Sequence, residues 1–279
     1  MPARITVHTS GAPPRGDHGP ALQAELLAVI EARSPAISEA LHNSRGPRTP
    51  YTLTPVRAVG PARAGRSEFG VGMFVDDLIE LVADCLDRAR IISPRGADLT
   101  VDEIEVVGIP WEGLAAFSPE ASDELAGIPS SPLQPAVPGP SPEELSTTWS
   151  LTTTAPLTLR PPDGVRAPMG AELLHPELLL GRLQRRAREF CAVEVFEALQ
   201  LDPTEVAWAV HDVRERTVPN RRRNGPPEPA ATGTWSYRVE PDDADRLAAW
   251  VTLAALTGLG DRTPLGYGAV TARPVAFWS

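Results

Sequence analysis

Four glycines near the end of the sequence have a symmetrical spacing that suits phosphate binding. The segment GLGDRTPLGYG, residues 258–268, contains Gly258, Gly260, Gly266 and Gly268. Glycine adopts positive φ at little cost, so its backbone N–H groups can approach a phosphodiester closely. Arg262 adds a positive charge within the loop. A helix C-cap followed by a tight turn would explain one or two of these glycines but not all four.

A histidine at the start of an arginine-rich segment is the best candidate for proton transfer. Residues 40–67 contain no Asp or Glu, but they include Arg45, Arg48, Arg57, Arg63 and Arg66. An imidazole at His42 could act as a general acid or as a general base. Arg48 could then stabilise the charge that develops on the phosphate. The alternative is that His42 only caps the C-terminus of the preceding helix.

A second proton-transfer group is less well defined by the sequence. His18 lies in a Gly/Pro-rich loop ahead of the first predicted helix, and Ser44 and Tyr51 follow His42 closely. Each carries a group that can hydrogen-bond to RNA or transfer a proton. The sequence does not choose among the three.

Further arginines are candidates for contact with a phosphate backbone. Arg221, Arg222 and Arg223 lie among Gly, Pro and Asn in a predicted hairpin loop that could enter the groove of an RNA stem. A solvated surface loop is the alternative. For the helical cluster around Arg185 and Arg186 we expect an ordinary exposed helix face, and we expect at least one of Trp235 and Tyr237 to lie in the core.

The charged residues and the cysteines limit the chemistry that the protein can perform. The net charge is −10, which opposes nucleic-acid binding unless the basic residues are segregated on one surface. All 26 basic residues are arginines, so lysine-based general bases and Schiff bases are excluded. The two cysteines, Cys85 and Cys191, lie in apolar helical runs outside any zinc-binding spacing. We therefore expect core thiols, no bound metal and no cofactor.

Hydrophobic periodicity predicts an α+β protein made of two similar halves. Each half has the order βαββαβ, which is the ferredoxin-like pattern of a four-stranded antiparallel sheet with two helices. The predicted domains span residues 1–117 and 146–279, and the proline-rich residues 118–145 form a linker between them. No segment has the pattern of a signal peptide or a membrane span, so we expect a cytoplasmic protein without a membrane partner.

The glycine-rich loop and its position identify a family resemblance. A loop of the form GhGxxxxxGhG, between the last helix and last strand of a second ferredoxin-like domain, resembles the hallmark of the repeat-associated mysterious proteins (RAMPs) of CRISPR systems. Within that superfamily the chain is similar to the endoribonucleases that process precursor CRISPR RNA. They usually carry a histidine after the first helix, as His42 does in ALHNSRGPRTPYTLTPV. The tyrosine that archaeal members carry in the first helix is absent, and Arg48 stands where a lysine is common.

The resemblance implies binding of CRISPR repeat RNA and cleavage of precursor CRISPR RNA. Cleavage by the 2′-hydroxyl would require no metal and would leave a 2′,3′-cyclic phosphate and a 5′-hydroxyl. The chain would contact other CRISPR effector subunits as further partners. One alternative is an RNA-binding subunit of an effector complex that does not cleave, and another is an unrelated protein with a coincidental glycine loop.

Overall fold

The computed structural model describes residues 2–44, 48–60, 65–109, 111, 146–159, 168–219 and 227–275. The chain divides into two units. The first consists of Met1–Ile109 with Leu256–Gly258 and Arg262–Tyr267, and the second of Pro110–Ala255 with Leu259–Asp261 and Gly268–Ser279. We predicted that residues 146–279 form one domain, whereas two short segments near the C-terminus belong to the first unit. The predicted linker at residues 118–145 lies outside the described residues.

The first unit has the predicted ferredoxin-like strand order. Its elements are β1 (Ala3–Ser10), α1 (Gly19–Glu31), α2 (Pro35–Asn43), β2 (Tyr51–Leu53), β3 (Arg57–Ala58), β4 (Arg66–Met73), α3 (Asp76–Ala89), β5 (Ile91–Ile92) and β6 (Leu99–Gly108). The sheet order is β2-β4-β1-β6-β5, and the short strand β3 also pairs with β4. All of these pairs are antiparallel. Without the short strands β3 and β5 and the added helix α2, the order is βαββαβ.

Alternation in β1 positions the core of this unit. Ala3, Ile5 and Val7 are fully buried, whereas the residues between them are partly exposed. Their buried face belongs to the core that also contains apolar residues of α1 and α3, spaced three or four residues apart: Leu22, Leu26, Ile30, Ile79, Val82 and Leu86. The strand period of two and the helix period of 3.6 therefore place one apolar face of each element inside.

The second unit repeats the same topology. Its elements are β7 (Thr148–Thr153), α4 (Pro176–Ala187), α5 (Val193–Ala198), β8 (Ala207–Val218), β9 (Glu228–Arg238), α6 (Ala244–Thr257) and β10 (Val270–Pro274). The sheet order is β10-β7-β9-β8, which is again the ferredoxin-like arrangement of four antiparallel strands. The tandem fold predicted from the sequence is confirmed. Trp235 and Tyr237 are both fully buried on the same face of β9, so the expectation of a core position holds for both.

The helices differ from prediction at one place in this unit. The periodicity of HPELLLGRLQRRAREFCAVEVFEAL predicts a single helical stretch from His175 onward, but α4 ends at Ala187 and α5 begins at Val193. Ala192, which precedes α5, has an extended backbone with φ −61° and ψ 150°, and this conformation interrupts the helix. In the described part of the chain, no helix has the length and apolar character needed to cross a membrane.

The position of β1 at the centre of the core predicts a large stability difference between two isoleucines. Ile5 is 0% exposed, whereas Ile91 on the edge strand β5 is 56% exposed. Ile5→Ala should lower the free energy of unfolding by about 2 to 5 kcal/mol, because it leaves a cavity. Ile91→Ala should cost less than about 1 kcal/mol. Urea unfolding of the two variants tests this, and equal losses would contradict the assignment of β1 to the core.

Candidate functional site

His42 lies in the last turn of a helix that the sequence pattern did not separate from the first one. We expected His42 in a loop after the first helix, but α1 ends at Glu31 and α2 carries residues 35–43. Ser34 precedes α2 and Pro35 is its first residue, which is a favourable helix start. Leu41 is buried, and the neighbouring His42 side chain is exposed to solvent. The helix thus presents the imidazole on the surface.

This histidine lines a groove between α1 and α2. Its volume is about 550 Å³, which lies within the usual range of small-molecule sites. The lining residues are Pro20, Gln23, Ala24, Leu27, Ala28, Glu31, Pro35, Ser38, Glu39 and His42. Two of them, Glu31 and Glu39, carry carboxylates, and none is an arginine. The groove therefore suits a ribose or a base better than a phosphate.

The arginines of residues 40–67, the segment without Asp or Glu, differ in exposure and in their contacts. Arg48 lies just before β2 with its side chain exposed, and Arg66 at the start of β4 is exposed too. Arg57 donates from Nε to the Glu68 carboxylate at 2.8 Å. Arg45 and Arg63 lie outside the described residues. Arg48 is thus exposed in the same unit as His42, whereas Arg57 is held by an ion pair.

His18 has a structural role in this fold. Its Nε2 accepts a hydrogen bond from the Val56 N–H at 2.9 Å, and its Nδ1 lies 2.9 Å from the Gly16 carbonyl oxygen. These partners require a proton on Nδ1 and none on Nε2. The side chain is only 7% exposed. Both ring nitrogens are therefore engaged within the protein, which does not fit a role for His18 in proton transfer or RNA contact.

The other two candidates for a second proton-transfer group differ in their position. The Tyr51 hydroxyl accepts a hydrogen bond of 2.7 Å from Nε2 of Gln23, a residue that lines the groove. Ser44 instead donates to the Leu41 carbonyl oxygen at 2.7 Å and closes the end of α2. Tyr51 is therefore one hydrogen bond away from the groove, whereas the Ser44 hydroxyl is used by the helix end.

The backbone of the glycine-rich loop has the conformation that the sequence predicts. The four glycines have positive φ: 73° at Gly258, 78° at Gly260, 82° at Gly266 and 72° at Gly268. Arg262 is also left-handed, with φ 61°. An added Cβ at Gly268 would lie 1.8 Å from the Leu259 carbonyl oxygen, so only glycine fits there. The positive φ predicted for these glycines is confirmed.

Two of the glycine N–H groups are nevertheless used inside the protein. Gly266 donates to the Thr263 carbonyl at 3.1 Å, and Gly268 donates to the Pro156 carbonyl at 2.9 Å. Both residues are buried. The expectation that all four glycine N–H groups face a phosphodiester is therefore wrong for Gly266 and Gly268, because their N–H groups donate to carbonyl groups of the protein itself. Gly258 and Gly260 are partly exposed and stay candidates.

An arginine on α4 holds the loop within the second unit. Nη1 of Arg182 lies 2.6 Å from both carboxylate oxygens of Asp261. Asp261 also forms an isolated β-bridge with Thr158. Burial lowers the pKa of the nearby Arg186 to about 9, and the Asp261 carboxylate opposes this shift. Part of the helical cluster that we expected to be exposed is therefore buried, and Arg182 anchors the loop.

Within the first unit the loop packs against the start of α1. An added Cβ at Gly19 would lie 1.7 Å from the Leu265 carbonyl oxygen, so the two backbones are in direct contact. The Tyr267 hydroxyl donates to the Asp17 carboxylate. Sequence reasoning missed Asp17, Gly19 and Tyr267 as parts of the site, because about 250 positions separate Asp17 from Tyr267 and local spacing carries no signal of such contacts.

The remaining predicted residues add less to the site. Arg221, Arg222 and Arg223 lie outside the described residues, whereas Arg214 and Arg216 on β8 are exposed.

Burial raises the pKa of the Cys85 and Cys191 thiols, which opposes a nucleophilic role for either. Cys85 is buried as expected, but Cys191 is only partly buried. Within the described ranges, no group of three or more His, Cys, Asp or Glu residues is arranged to hold a metal ion.

Part of the chain matches a family of known proteins. Residues 151–270, from β7 to the first residue of β10, match the family model of the CRISPR-associated endoribonuclease Cas6. No curated protein matches the sequence. The matched segment contains the glycine-rich loop and most of the second ferredoxin-like domain.

Solved structures share the fold along almost the whole chain. A Cas6 product complex has a TM-score of 0.69 at 17% identity and covers 98% of this chain and 100% of its own. A Cas6 from Thermus thermophilus has a TM-score of 0.61 at 18% identity, covering 98% of each chain. A RAMP protein that binds different RNA substrates has a TM-score of 0.61 at 12% identity, covering 97% of this chain and 99% of its own. The chain thus has a tandem ferredoxin-like fold, and its predicted resemblance to Cas6 endoribonucleases is confirmed.

The tight contact at Gly268 predicts how the loop responds to a methyl group. Gly268→Ala should cost about 3 kcal/mol or more, because the alanine combines a left-handed backbone with a clash against the Leu259 carbonyl. Gly60→Ala is the matched control, since Gly60 has φ 75° but no atom near its added Cβ. It should cost about 1 to 2 kcal/mol from the backbone alone. Chemical denaturation measures both values, and equal costs would show that the loop is not closely packed.

Proposed function

We propose that this protein is an endoribonuclease that binds CRISPR repeat RNA and cleaves the precursor transcript by attack of a ribose 2′-hydroxyl. The observation that carries this proposal is the exposed imidazole of His42, which lines the α1–α2 groove, in a chain whose fold is similar to that of Cas6 structures. One similar structure is a Cas6 product complex, and another is a RAMP protein that binds different RNA substrates. Cleavage of this kind requires no metal ion and leaves a 2′,3′-cyclic phosphate and a 5′-hydroxyl.

In this mechanism His42 transfers the proton. The imidazole either removes the 2′-hydroxyl proton or donates a proton to the departing 5′-oxygen, and a positioned group of this kind contributes a factor of about 10² to 10⁴. Arg48 is fixed in its positive charge and stabilises the additional negative charge of the pentavalent phosphate. No second proton-transfer group is assigned, because the Tyr51 side chain, which bonds to Gln23 in the groove wall, is buried as the His18 side chain is.

The groove and the glycine-rich loop contact different parts of the RNA. Glu31 and Glu39 disfavour a phosphate in the groove, so a ribose or base next to the scissile bond occupies it. Phosphates are bound by the partly exposed part of the loop, with Gly258, Gly260 and Arg262. Arg45 and the hairpin arginines Arg221 to Arg223 supply further backbone contacts. Local concentration of arginine then compensates for a net charge of −10.

A non-catalytic RNA-binding subunit is the second candidate function. The position of His42 in the last turn of α2 favours it, because a histidine there can interact with the helix dipole and carbonyl groups without any catalytic role. The engagement of both His18 nitrogens within the fold is consistent with the same possibility. The two functions differ in what His42 does once RNA is bound.

Replacement of His42 separates these functions. His42→Ala should reduce cleavage of a labelled repeat RNA by about 10² to 10⁴ while the dissociation constant changes little, because the imidazole acts on the proton and not on affinity. His211→Ala is the matched control, since His211 is an exposed histidine on β8. It should leave the rate unchanged. Retention of full activity by His42→Ala would exclude the proposed catalytic role, and a wild-type protein that binds the repeat but never cuts it would support the subunit.

A further inference from the structure

One carboxylate joins the start of α1 to the glycine-rich loop. Oδ1 of Asp17 accepts the Gly19 N–H at 3.3 Å, and Oδ2 accepts the hydroxyl proton of Tyr267. Tyr267 is buried, so its ring is fixed by packing as well as by this hydrogen bond. The orientation of the ring therefore depends in part on a residue 250 positions away in the sequence.

The ring of Tyr267 supports the cation of the loop. The guanidinium carbon of Arg262 lies 4.7 Å from the ring centroid, within the range of a cation–π interaction. Arg262 has a left-handed backbone, and the loop closes beyond it through a hydrogen bond from the Leu265 N–H to the Arg262 carbonyl at 2.8 Å. An arginine held in this way loses less conformational entropy when it binds a phosphate than a freely rotating one.

We propose that Asp17 and Tyr267 are positioning residues that hold Arg262 in the orientation in which it contacts an RNA phosphate. This inference rests on the proposed RNA-binding function and adds the residues that prepare the contact. Asp17 fixes the Tyr267 hydroxyl, Tyr267 fixes the plane of the guanidinium, and Arg262 meets the phosphate. Neither Asp17 nor Tyr267 needs to touch the RNA.

The path of the loop does not depend on the Tyr267 hydroxyl. The contact between Gly19 and Leu265, the ion pair between Arg182 and Asp261 and the buried turn at Gly268 are independent of that group. Tyr267→Phe retains the aromatic ring and removes the hydroxyl group that donates to Asp17. The substitution should therefore change the orientation of Arg262 and leave the loop folded, which makes it a sharper probe than removal of the whole side chain.

A double-mutant cycle on RNA affinity tests the proposal. Binding is measured with repeat RNA that carries a 2′-deoxy sugar at the cleavage site, in the wild type, Tyr267→Phe, Arg262→Ala and the double variant, over a series of salt concentrations. Tyr267→Phe should weaken binding about five- to tenfold. Arg262→Ala should weaken it at least as much and should reduce the slope of log affinity against log salt by about 0.7 to 0.9, the value for one phosphate contact. In the double variant, loss of the Tyr267 hydroxyl should have no further effect, because the group that it positions is already absent.

The controls separate positioning from stability and from the proposed function. Asp17→Ala, which removes the acceptor of the Tyr267 hydroxyl, should reproduce the effect of Tyr267→Phe, including its dependence on Arg262. Tyr237→Phe removes another buried hydroxyl, which donates to the Leu174 carbonyl at 2.7 Å, and it should neither weaken binding nor depend on Arg262. Additive losses in the cycle, or unchanged affinity in Tyr267→Phe, would overturn the positioning role alone. A wild type that shows no preference for repeat RNA over unrelated RNA would instead defeat the proposed function.

Discussion

At the glycine-rich loop the protein packs backbone against backbone without a side chain in between. The Leu259 carbonyl occupies the space where a Cβ of residue 268 would lie, and the Leu265 carbonyl does the same at residue 19. These approaches require glycine at positions 268 and 19, and the positive φ at positions 258, 260, 266 and 268 favours glycine along the loop. The loop supplies residues to both units, so its conformation determines where Arg262, Asp261 and Tyr267 lie. The other features of the candidate site depend on this constraint.

Several arginine side chains form ion pairs within the fold or are buried in it. Arg182 pairs with Asp261, Arg57 pairs with Glu68, and Arg186 is buried. A count of arginines therefore overestimates the cations available to RNA, and a net charge of −10 underestimates local positive potential. What matters is which guanidinium groups stay exposed near His42 and the loop. Among the described arginines of residues 40–67, Arg48 and Arg66 are exposed.

Much of the fold could be predicted because it follows from local periodicity. Alternation in β1 and helical spacing in α1, α3, α4 and α6 produce both ferredoxin-like units, and the glycine spacing predicts the loop backbone. The pattern did not separate α1 from α2, because apolar residues continue at helical spacing past the break at Ser34 and Pro35. The hydrogen bonds of His18 and the contacts of Asp17 with Tyr267 were not predictable, since each depends on tertiary packing between distant residues. The catalytic role of His42 and Arg48 stays a prediction.

The most direct test of the account uses the wild-type protein and two repeat RNAs in a buffer that contains EDTA. One RNA is unmodified, and the other has a 2′-deoxy sugar on the 5′ side of the scissile phosphate, which removes the nucleophile. The account predicts that the unmodified RNA is cut to a 2′,3′-cyclic phosphate and a 5′-hydroxyl, whereas the deoxy RNA is bound and left intact. Cleavage across the deoxy linkage, or cleavage of the unmodified RNA only after magnesium is added, would contradict it.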